Sequence, residues 1–305
     1  MSYLLVGGFG FIGKHLIEAI NDQTSSFTAI SRKDPGEQWA SYPYFLDNTL
    51  DDKVIEELAN QHKVVVYLAS SSIPATGSFL REITENVEPA LQLIDRLTGF
   101  NRNLKVIYLS SGGQIYGNEY LDVVTEKAIC RPVSPYGYGK LIVEQSLAYL
   151  HRTKGIKVAI LRVANPVGRW QTGLRQGLVN VVFQALNNNR PVTIFGNGEE
   201  RRDYIDADEL AQLILLVGNS DFSFNTWNVG SGQATSTIEL VTKIENIVGK
   251  TATKEYLPRR SVDPEFAVLD CSKLFLDLQW KATKNINDIL DKTLSFKMNG
   301  THSYD

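Results

Sequence analysis

Val6-Gly7-Gly8-Phe9-Gly10-Phe11-Ile12-Gly13 is the stretch whose reading decides the fold. Ahead of it, Tyr3-Leu4-Leu5-Val6 is a short apolar run of the kind that forms a buried strand. Behind it, Phe11, Ile12, Leu16, Ile17 and Ile20 repeat at helical spacing. Strand, glycine turn and helix in that order make a dinucleotide fingerprint. The first glycine bends the chain sharply, the next lets the backbone approach a pyrophosphate, and the last lets helix and strand pack closely. The helix N-terminus then offers free N–H groups and the positive end of its dipole to phosphate. A glycine turn alone is a weak signal, because many bind nothing. Here the flanking strand and helix supply the context.

Outward from the fingerprint, strands and helices alternate. Phe27–Ile30 reads as strand two, Tyr44–Leu46 as strand three ending at Asp47, and Asp51–Asn60 as a helix with an acidic first turn. Val64–Leu68 is fully apolar, as a strand inside a parallel sheet must be. Phe79–Leu97 carries a long helical pattern, Leu104–Leu109 is strand five, Pro135–Arg152 a second long helix, and Val158–Leu161 strand six. This rhythm predicts an α/β fold of the Rossmann kind, a doubly wound parallel sheet whose active crevice lies at the C-terminal strand ends. Beyond residue 164 glycines and prolines become frequent and strands shorten, which predicts a smaller C-terminal substrate-binding lobe. The division expected is 1–164 and 165–305. It is interleaved, because Asp206–Val217 reads as helix and Trp227–Val229 as strand, so that residues around 206–235 return to the first domain. Residues 299–305 read as a loose tail.

The bulk properties narrow the classes of partner. A chain of 305 residues can bury a large core, and its net charge of −3 gives no reason to expect nucleic acid or an anionic membrane as partner. Two cysteines, Cys130 and Cys271, are too few for a disulfide framework and suit a reducing cytoplasm. No signal pattern opens the chain and no apolar run reaches membrane-spanning length. The four histidines show no metal-ligand spacing, so no metal is expected.

Two further stretches carry chemistry. In Pro135-Tyr136-Gly137-Tyr138-Gly139-Lys140, the tyrosine and the final lysine are four apart at a helix start and share a face. An ammonium beside a phenol is expected to pull the phenol's pKa from about 10 toward the working pH. The phenol can then exchange a proton with a hydroxyl or carbonyl while a hydride moves to or from nicotinamide. Leu109-Ser110-Ser111-Gly112-Gly113-Gln114-Ile115-Tyr116-Gly117 leaves strand five at its C-terminal end, where a hydroxyl can hydrogen-bond a substrate oxygen. At the end of strand two stands Ser31, followed by Arg32 and Lys33. NAD sites usually carry an acid there; an uncharged residue beside a guanidinium suits a 2′-phosphate better, which favours NADP(H) with NAD(H) as the alternative.

Taken together, these stretches resemble the extended short-chain dehydrogenase/reductase family, and within it the NAD(P)-dependent nucleotide-sugar epimerases, dehydratases and reductases. Gly7, Gly10 and Gly13 match the family's cofactor glycines, Tyr136 and Lys140 its Tyr-x-x-x-Lys pair, Leu68-Ala69 its turn after strand four, and Asn86 the asparagine of its long fourth helix. Asn165-Pro166-Val167-Gly168 resembles the segment where nicotinamide and diphosphate meet. Arg202-Asp203-Tyr204-Ile205, and Arg260 after Pro258, resemble the segments that grip the nucleotide-sugar. The resemblance implies Tyr136, Lys140 and Ser111 as catalytic residues. It implies Gly7, Gly10, Phe11, Ile12, Gly13, Ser31, Arg32, Asp47, Leu68, Ala69, Tyr136, Lys140 and Pro166 around the cofactor. Ser111, Asn165, Arg202, Tyr204 and Arg260 would face the nucleotide-diphosphate sugar. It also implies a homodimer through the two long helices, 79–97 and 135–152.

The departures from the family pattern select among its activities. Four residues before Tyr116 the family has a serine or threonine; here Gly112 stands there, so Ser111 takes the role, or a water does, or the register differs. Gly113 and Gln114 replace a dehydratase's acidic pair and leave no second acid–base group, which argues against 4,6-dehydration and against epimerisation at C3 and C5. Two activities at sugar C4 survive: a 4-ketoreductase acting on a UDP- or dTDP-4-keto-6-deoxyhexose, which Ser31 and Arg32 favour, and a UDP-hexose 4-epimerase. A non-catalytic NADP-binding sensor is a third reading, with only Gly112 in its support.

Overall fold

The computed structural model describes residues 1–47, 50–75, 77–172 and 177–299. The first elements are β1 (Ser2–Val6), α1 (Phe11–Asn21), β2 (Ser26–Ser31), β3 (Tyr44–Leu46), α2 (Asp52–Gln61) and β4 (Val64–Tyr67). A long helical stretch follows as α3 (Phe79–Glu82), a π-helical turn (Ile83–Val87) and α4 (Glu88–Phe100). Then come β5 (Lys105–Ser111), α5 (Pro135–Lys154) and β6 (Lys157–Val163). One edge strand is added much later, β11 (Phe224–Val229), and the seven lie in the order β11-β6-β5-β4-β1-β2-β3. β1 pairs in parallel with both β2 and β4, β2 with β3, and β4 with β5. The strand order therefore reverses at β1, and the glycine turn leaves the sheet at that switch point.

Val64, Val65 and Val66 are fully buried, because β4 is covered on both faces; a strand so placed has no polar side to show. Ile55 and Leu58 of α2, Leu93, Ile94 and Leu97 of α4 and Val143 and Leu147 of α5 share one core with β4 and β5. Each such side chain contributes roughly 1.5–3 kcal/mol by leaving water. The sequence placed α2's start at Asp51; the structure makes Asp51 the N-cap, its carboxylate accepting from Val54 N at 2.8 Å. The helix expected over 79–97 runs on to Phe100 and is widened between residues 83 and 87, where Glu88 N donates to Ile83 O. Pro89 explains the widening: it has no N–H, and its ring crowds the carbonyl one turn back.

The remaining elements are β7 (Asn165–Val167), α6 (Leu178–Asn187), β8 (Val192–Phe195), β9 (Arg201–Arg202), β10 (Tyr204–Asp206), α7 (Ala207–Asn219), β12 (Thr235–Ser236), α8 (Thr237–Val248), β13 (Lys254–Leu257), β14 (Phe266–Ala267), α9 (Ser272–Leu278) and α10 (Ile286–Asn299). The strands pair as β10-β7, β12-β9-β14 and β13-β8. Val182 and Phe183 of α6, Leu240 and Ile244 of α8 and Ile289 and Leu290 of α10 form a separate core with β8. The chain divides into two compact units: Met1–Ser111, Pro135–Arg162 and Ala211–Trp227 in the first; Gly112–Ser134, Val163–Leu210 and Asn228 onward in the second. The second unit includes residues 112–134, which the division at 164 assigns to the first. Of the tail read at 299–305, Asn299 ends α10 and the rest lies outside the described residues. No helix among the described residues is long and apolar enough to cross a membrane.

Candidate active site

In the first unit, the C-terminal ends of the parallel strands gather most of the residues singled out by sequence. Gly7 has φ +82°, a left-handed conformation that a side chain would strain, and a Cβ on it would come within 3.0 Å of Ala69. A Cβ on Gly13 would lie 2.1 Å from Gly8 O, so only glycine lets α1 start this close to β1. Gly10 is the N-cap of α1 and offers no side chain to cap it. The first-turn N–H groups of Phe11, Ile12 and Gly13 therefore have no intrahelical acceptor and stay available to an anion. This cradle fits the pyrophosphate of a dinucleotide. Leu68 N donates to Val6 O at 2.9 Å, tying the turn after β4 to β1.

At the end of β2, the Ser31 hydroxyl donates to Lys33 O at 2.7 Å and closes its own turn, leaving the Arg32 side chain exposed. Asp47 follows β3 and is also exposed. Both charges act on the buried Tyr67 phenol at the end of β4, whose pKa is raised by burial, raised further by Asp47 and lowered by Arg32. Arg32, Asp47 and the β4 turn therefore share one edge of the sheet.

Ser111 ends β5, and its hydroxyl shares a hydrogen bond with the Tyr136 phenol from the first turn of α5. Lys140, one turn further, donates from Nζ to Leu109 O at 2.9 Å and stands 5.7 Å from the Tyr136 ring centre. Ser111, not Gly112, is thus the residue of this turn that meets the Tyr136 phenol. The expectation that Lys140 pulls the phenol's pKa down does not hold. Burial pushes it up to about 12; the Ser111 hydrogen bond opposes this and the Glu82 charge adds to it. Burial likewise brings the Lys140 ammonium down to about 8, against the charges of Glu82 and Glu144. Removing charge from water costs more here than the two groups return to each other.

The second unit holds the other candidate residues. Asn165 begins β7, and its Nδ2 donates to Asp203 O at 2.9 Å. Pro166 pairs with Ile205 in the β7–β10 ladder. In the same unit, Gln114 is buried and its Oε1 accepts from Ser134 Oγ at 2.9 Å, so the amide is held by the protein itself. Arg202 on β9 is half-buried; its Nη1 donates to Arg201 O at 3.0 Å and it makes no direct ion pair among the described residues. Arg260 lies with its guanidinium 4.1 Å from the Phe195 ring centre and donates from Nε to Asp263 Oδ2 at 2.6 Å. Asp263 also acts on the Arg202 charge, so the two arginines share one neighbourhood. Tyr204 is not brought to the surface: it is buried in the core, and burial raises its phenol to about 12. Arg259, next to Arg260 in the chain, pairs with Glu265.

Sequence reasoning missed what holds the second site together. Asp203 is 0% exposed and accepts from Ser231 N (2.8 Å), Ser231 Oγ (2.7 Å) and Gly232 N (3.1 Å). It ties the Arg202 strand to a turn nearly thirty residues on. A lone aspartate in a polar segment carries no periodic signal, so nothing short of the fold could point to it.

A glycine cradle at the switch point, followed by a serine–tyrosine–lysine cluster at the end of β5, defines a pyridine-nucleotide oxidoreductase site. The chain belongs to the NAD dependent epimerase/dehydratase family, whose sequence pattern matches residues 3–230. It is 26% identical to a dTDP-4-dehydro-6-deoxyglucose reductase of Escherichia coli, over 95% of this chain and 96% of the relative. It is 25% identical to a putative UDP-glucose 4-epimerase of Methanocaldococcus jannaschii, over 98% and 99%. A solved UDP-glucose 4-epimerase of Thermotoga maritima, in complex with UDP-glucose, superposes with TM-score 0.89 at 26% identity, covering 98% of this chain and 99% of that one. The chain is an enzyme of this epimerase/reductase type, which overturns the sensor reading, and its cofactor is a pyridine nucleotide.

Proposed function

We propose that this enzyme is a 4-ketoreductase acting on a UDP- or dTDP-linked 4-keto-6-deoxyhexose with NADPH. The observation that carries the reading is the end of β2, where Ser31 closes its own turn and Arg32 stands exposed beside it, an arrangement that suits the 2′-phosphate of NADPH. Reduction of a ketone needs an acid that gives one proton to the carbonyl oxygen. A reductase consumes its cofactor and suits the reduced NADPH pool, whereas an epimerase regenerates the nucleotide it holds.

The nicotinamide supplies the hydride when bound. Tyr136 gives its proton to the C4 oxygen, and the Ser111 hydroxyl donates its single hydrogen bond to that same oxygen. Lys140 stabilises the phenolate left behind. Arg202 and Arg260 offer forked donors to the diphosphate, with Asn165 and Tyr204 in supporting roles. Phe11, Ile12, Gly13 and Gly10 cradle the pyrophosphate, Leu68, Ala69, Asp47 and Pro166 line the rest of the cofactor's path, and Arg32 beside Ser31 meets a 2′-phosphate. A homodimer through α3–α4 and α5 belongs to this reading: Phe79, Leu80, Tyr138 and Tyr149 are large, exposed and carried by these helices.

The likeness to UDP-glucose 4-epimerases supports a second reading, and one experiment separates the two. The purified protein is denatured, any released nicotinamide nucleotide is identified, and NADPH is supplied with UDP- and dTDP-4-keto-6-deoxyglucose while reduced-cofactor absorbance is followed. Stoichiometric loss of NADPH is expected. Retained NAD, with no net consumption and interconversion of UDP-glucose and UDP-galactose, would establish the epimerase instead.

A further inference from the structure

Glu82, at the end of α3, is 3% exposed. Its Oε2 accepts from Asn86 Nδ2 at 3.2 Å, and it makes no direct ion pair among the described residues. A carboxylate buried beside only a neutral amide needs a counter-charge nearby. The side chain lies against Gly139: a Cβ built there would stand 2.5 Å from Glu82 Cγ and 2.6 Å from Oε1. Any residue larger than glycine would push the carboxylate away. The next residue in the chain is Lys140.

Lys140 is the mirror image of this situation. It is 8% exposed, its Nζ donates to the Leu109 carbonyl, and no carboxylate pairs with it among the described residues. The other acid near it, Glu144, is already engaged. Arg162 on β6 donates from Nε to both Glu144 oxygens at 3.1 Å and from Nη2 to Oε2 at 2.7 Å. Two buried opposite charges remain: Glu82 seated against Gly139, and Lys140, which follows that glycine in the chain and feels the Glu82 charge.

We infer that Glu82 is a positioning residue for the Tyr136–Lys140 pair: its carboxylate, seated against Gly139, is the counter-charge that keeps the buried Lys140 an ammonium. The inference rests on reading Tyr136 and Lys140 as the acid–base pair. Electrostatics agree with the geometry. Glu82 heads the charges that hold the Lys140 pKa up against burial, and the same carboxylate helps keep the Tyr136 phenol protonated. Asn86 fixes the carboxylate in turn. Its Oδ1 accepts from Ser71 N at 2.7 Å and its Nδ2 donates to Ser72 Oγ at 3.3 Å, which anchors Glu82 to the loop that follows Ala69. The remaining ionisable groups around the pair are Tyr108 on β5, 4.9 Å from Lys140 Nζ to its ring centre, and the Arg162–Glu144 couple.

The test reads Lys140 directly and needs no substrate. The full chain is labelled with carbon-13 lysine, the Lys140 side-chain signal is assigned by its absence in K140R, and its Cε shift is followed against pH. The wild-type midpoint is expected near 8. In Glu82→Gln it should fall by roughly one pH unit, and Glu82→Asp should restore most of the difference. Gly139→Ala, which keeps the acid but takes its space, should move the midpoint in the same direction as E82Q. A wild-type midpoint in folded E82Q overturns the inference. Should E82Q fail to fold, an unmoved midpoint in folded G139A overturns it equally. Failure of 4-keto-sugar reduction would sink the proposed reaction and leave this titration result standing, so the two can be told apart.

Discussion

The two units carry charge in opposite ways. In the first, the reactive groups are Ser111, Tyr136 and Lys140, contributed by one strand end and one helical turn, and burial sets their protonation. In the second, Arg202 on β9 and Arg260 in a distant loop are half-open guanidinium groups that share Asp263, which pairs with Arg260 and acts on the Arg202 charge. A guanidinium stays charged at any working pH, so its environment can aim it but cannot switch it. A phenol and an ammonium can be switched, and the fold spends desolvation on them. The contrast separates a site built to move a proton from a site built to hold an anion.

The largest effect should come from breaking the first site. Tyr136→Phe keeps the ring and removes the proton; turnover should fall by roughly 10²–10⁴, with the circular dichroism spectrum and substrate affinity little changed. A variant that kept half its rate would remove Tyr136 from the acid role. Arg202→Ala should behave differently. Losing charge-assisted bonds worth ~1.5–3 kcal/mol should raise substrate KM roughly 10–100-fold while kcat stays within a few-fold. Arg260→Ala should cost less than Arg202→Ala, because Asp263 and Phe195 already engage that guanidinium. If kcat rather than KM collapsed in Arg202→Ala, the division of labour between the two sites would be wrong.

The pH dependence sharpens the same contrast. Lys140 has its folded-state pKa brought down to about 8, so it is an ammonium below that pH and loses its charge above it. Tyr136, raised to about 12, stays protonated throughout. Turnover in the reductive direction should therefore decline above about pH 8 by up to tenfold per unit, while KM for the nucleotide-sugar stays flat because the arginines do not titrate. A limb near 10 in the kcat/KM profile would point to an ordinary phenol and to a site more open to water.

How much of this was legible in the sequence follows from the distances involved. The cofactor cradle and the tyrosine–lysine pair are local: eight residues in one case and five in the other fix their geometry through a turn and a helix period. The all-valine core of β4 announced its burial directly. The phenol's pKa was misjudged because proximity of Lys140 is visible in sequence and depth of burial is not. The parts played by Glu82 and Asp203 were not legible, because their partners Gly139 and Ser231 lie far along the chain. The helix over 79–100 was found from its periodicity, but its π-helical turn was not, although Pro89 stood in the sequence to mark it.

The smallest predicted effect concerns cofactor choice. Arg32 is exposed, at the end of β2, and Ser31 beside it is occupied by its own turn, so no carboxylate stands at that strand end to hold a ribose 2′-hydroxyl. A 2′-phosphate would gain a guanidinium partner there, but one in contact with water. Exposed charge pairs contribute only ~0.2–1 kcal/mol, so Arg32→Ala should lower kcat/KM for NADPH by about two- to five-fold and leave that for NADH nearly unchanged. Added salt should shrink the wild-type preference and have little effect on the variant, because screening acts on exposed charges first. A wild-type enzyme that preferred NADH, or a variant in which both cofactors suffered equally, would assign Arg32 to the general field of the sheet edge, where Asp47 and the Tyr67 phenol already feel its charge. The cofactor would then be chosen by the glycine cradle alone, which cannot tell the two nucleotides apart.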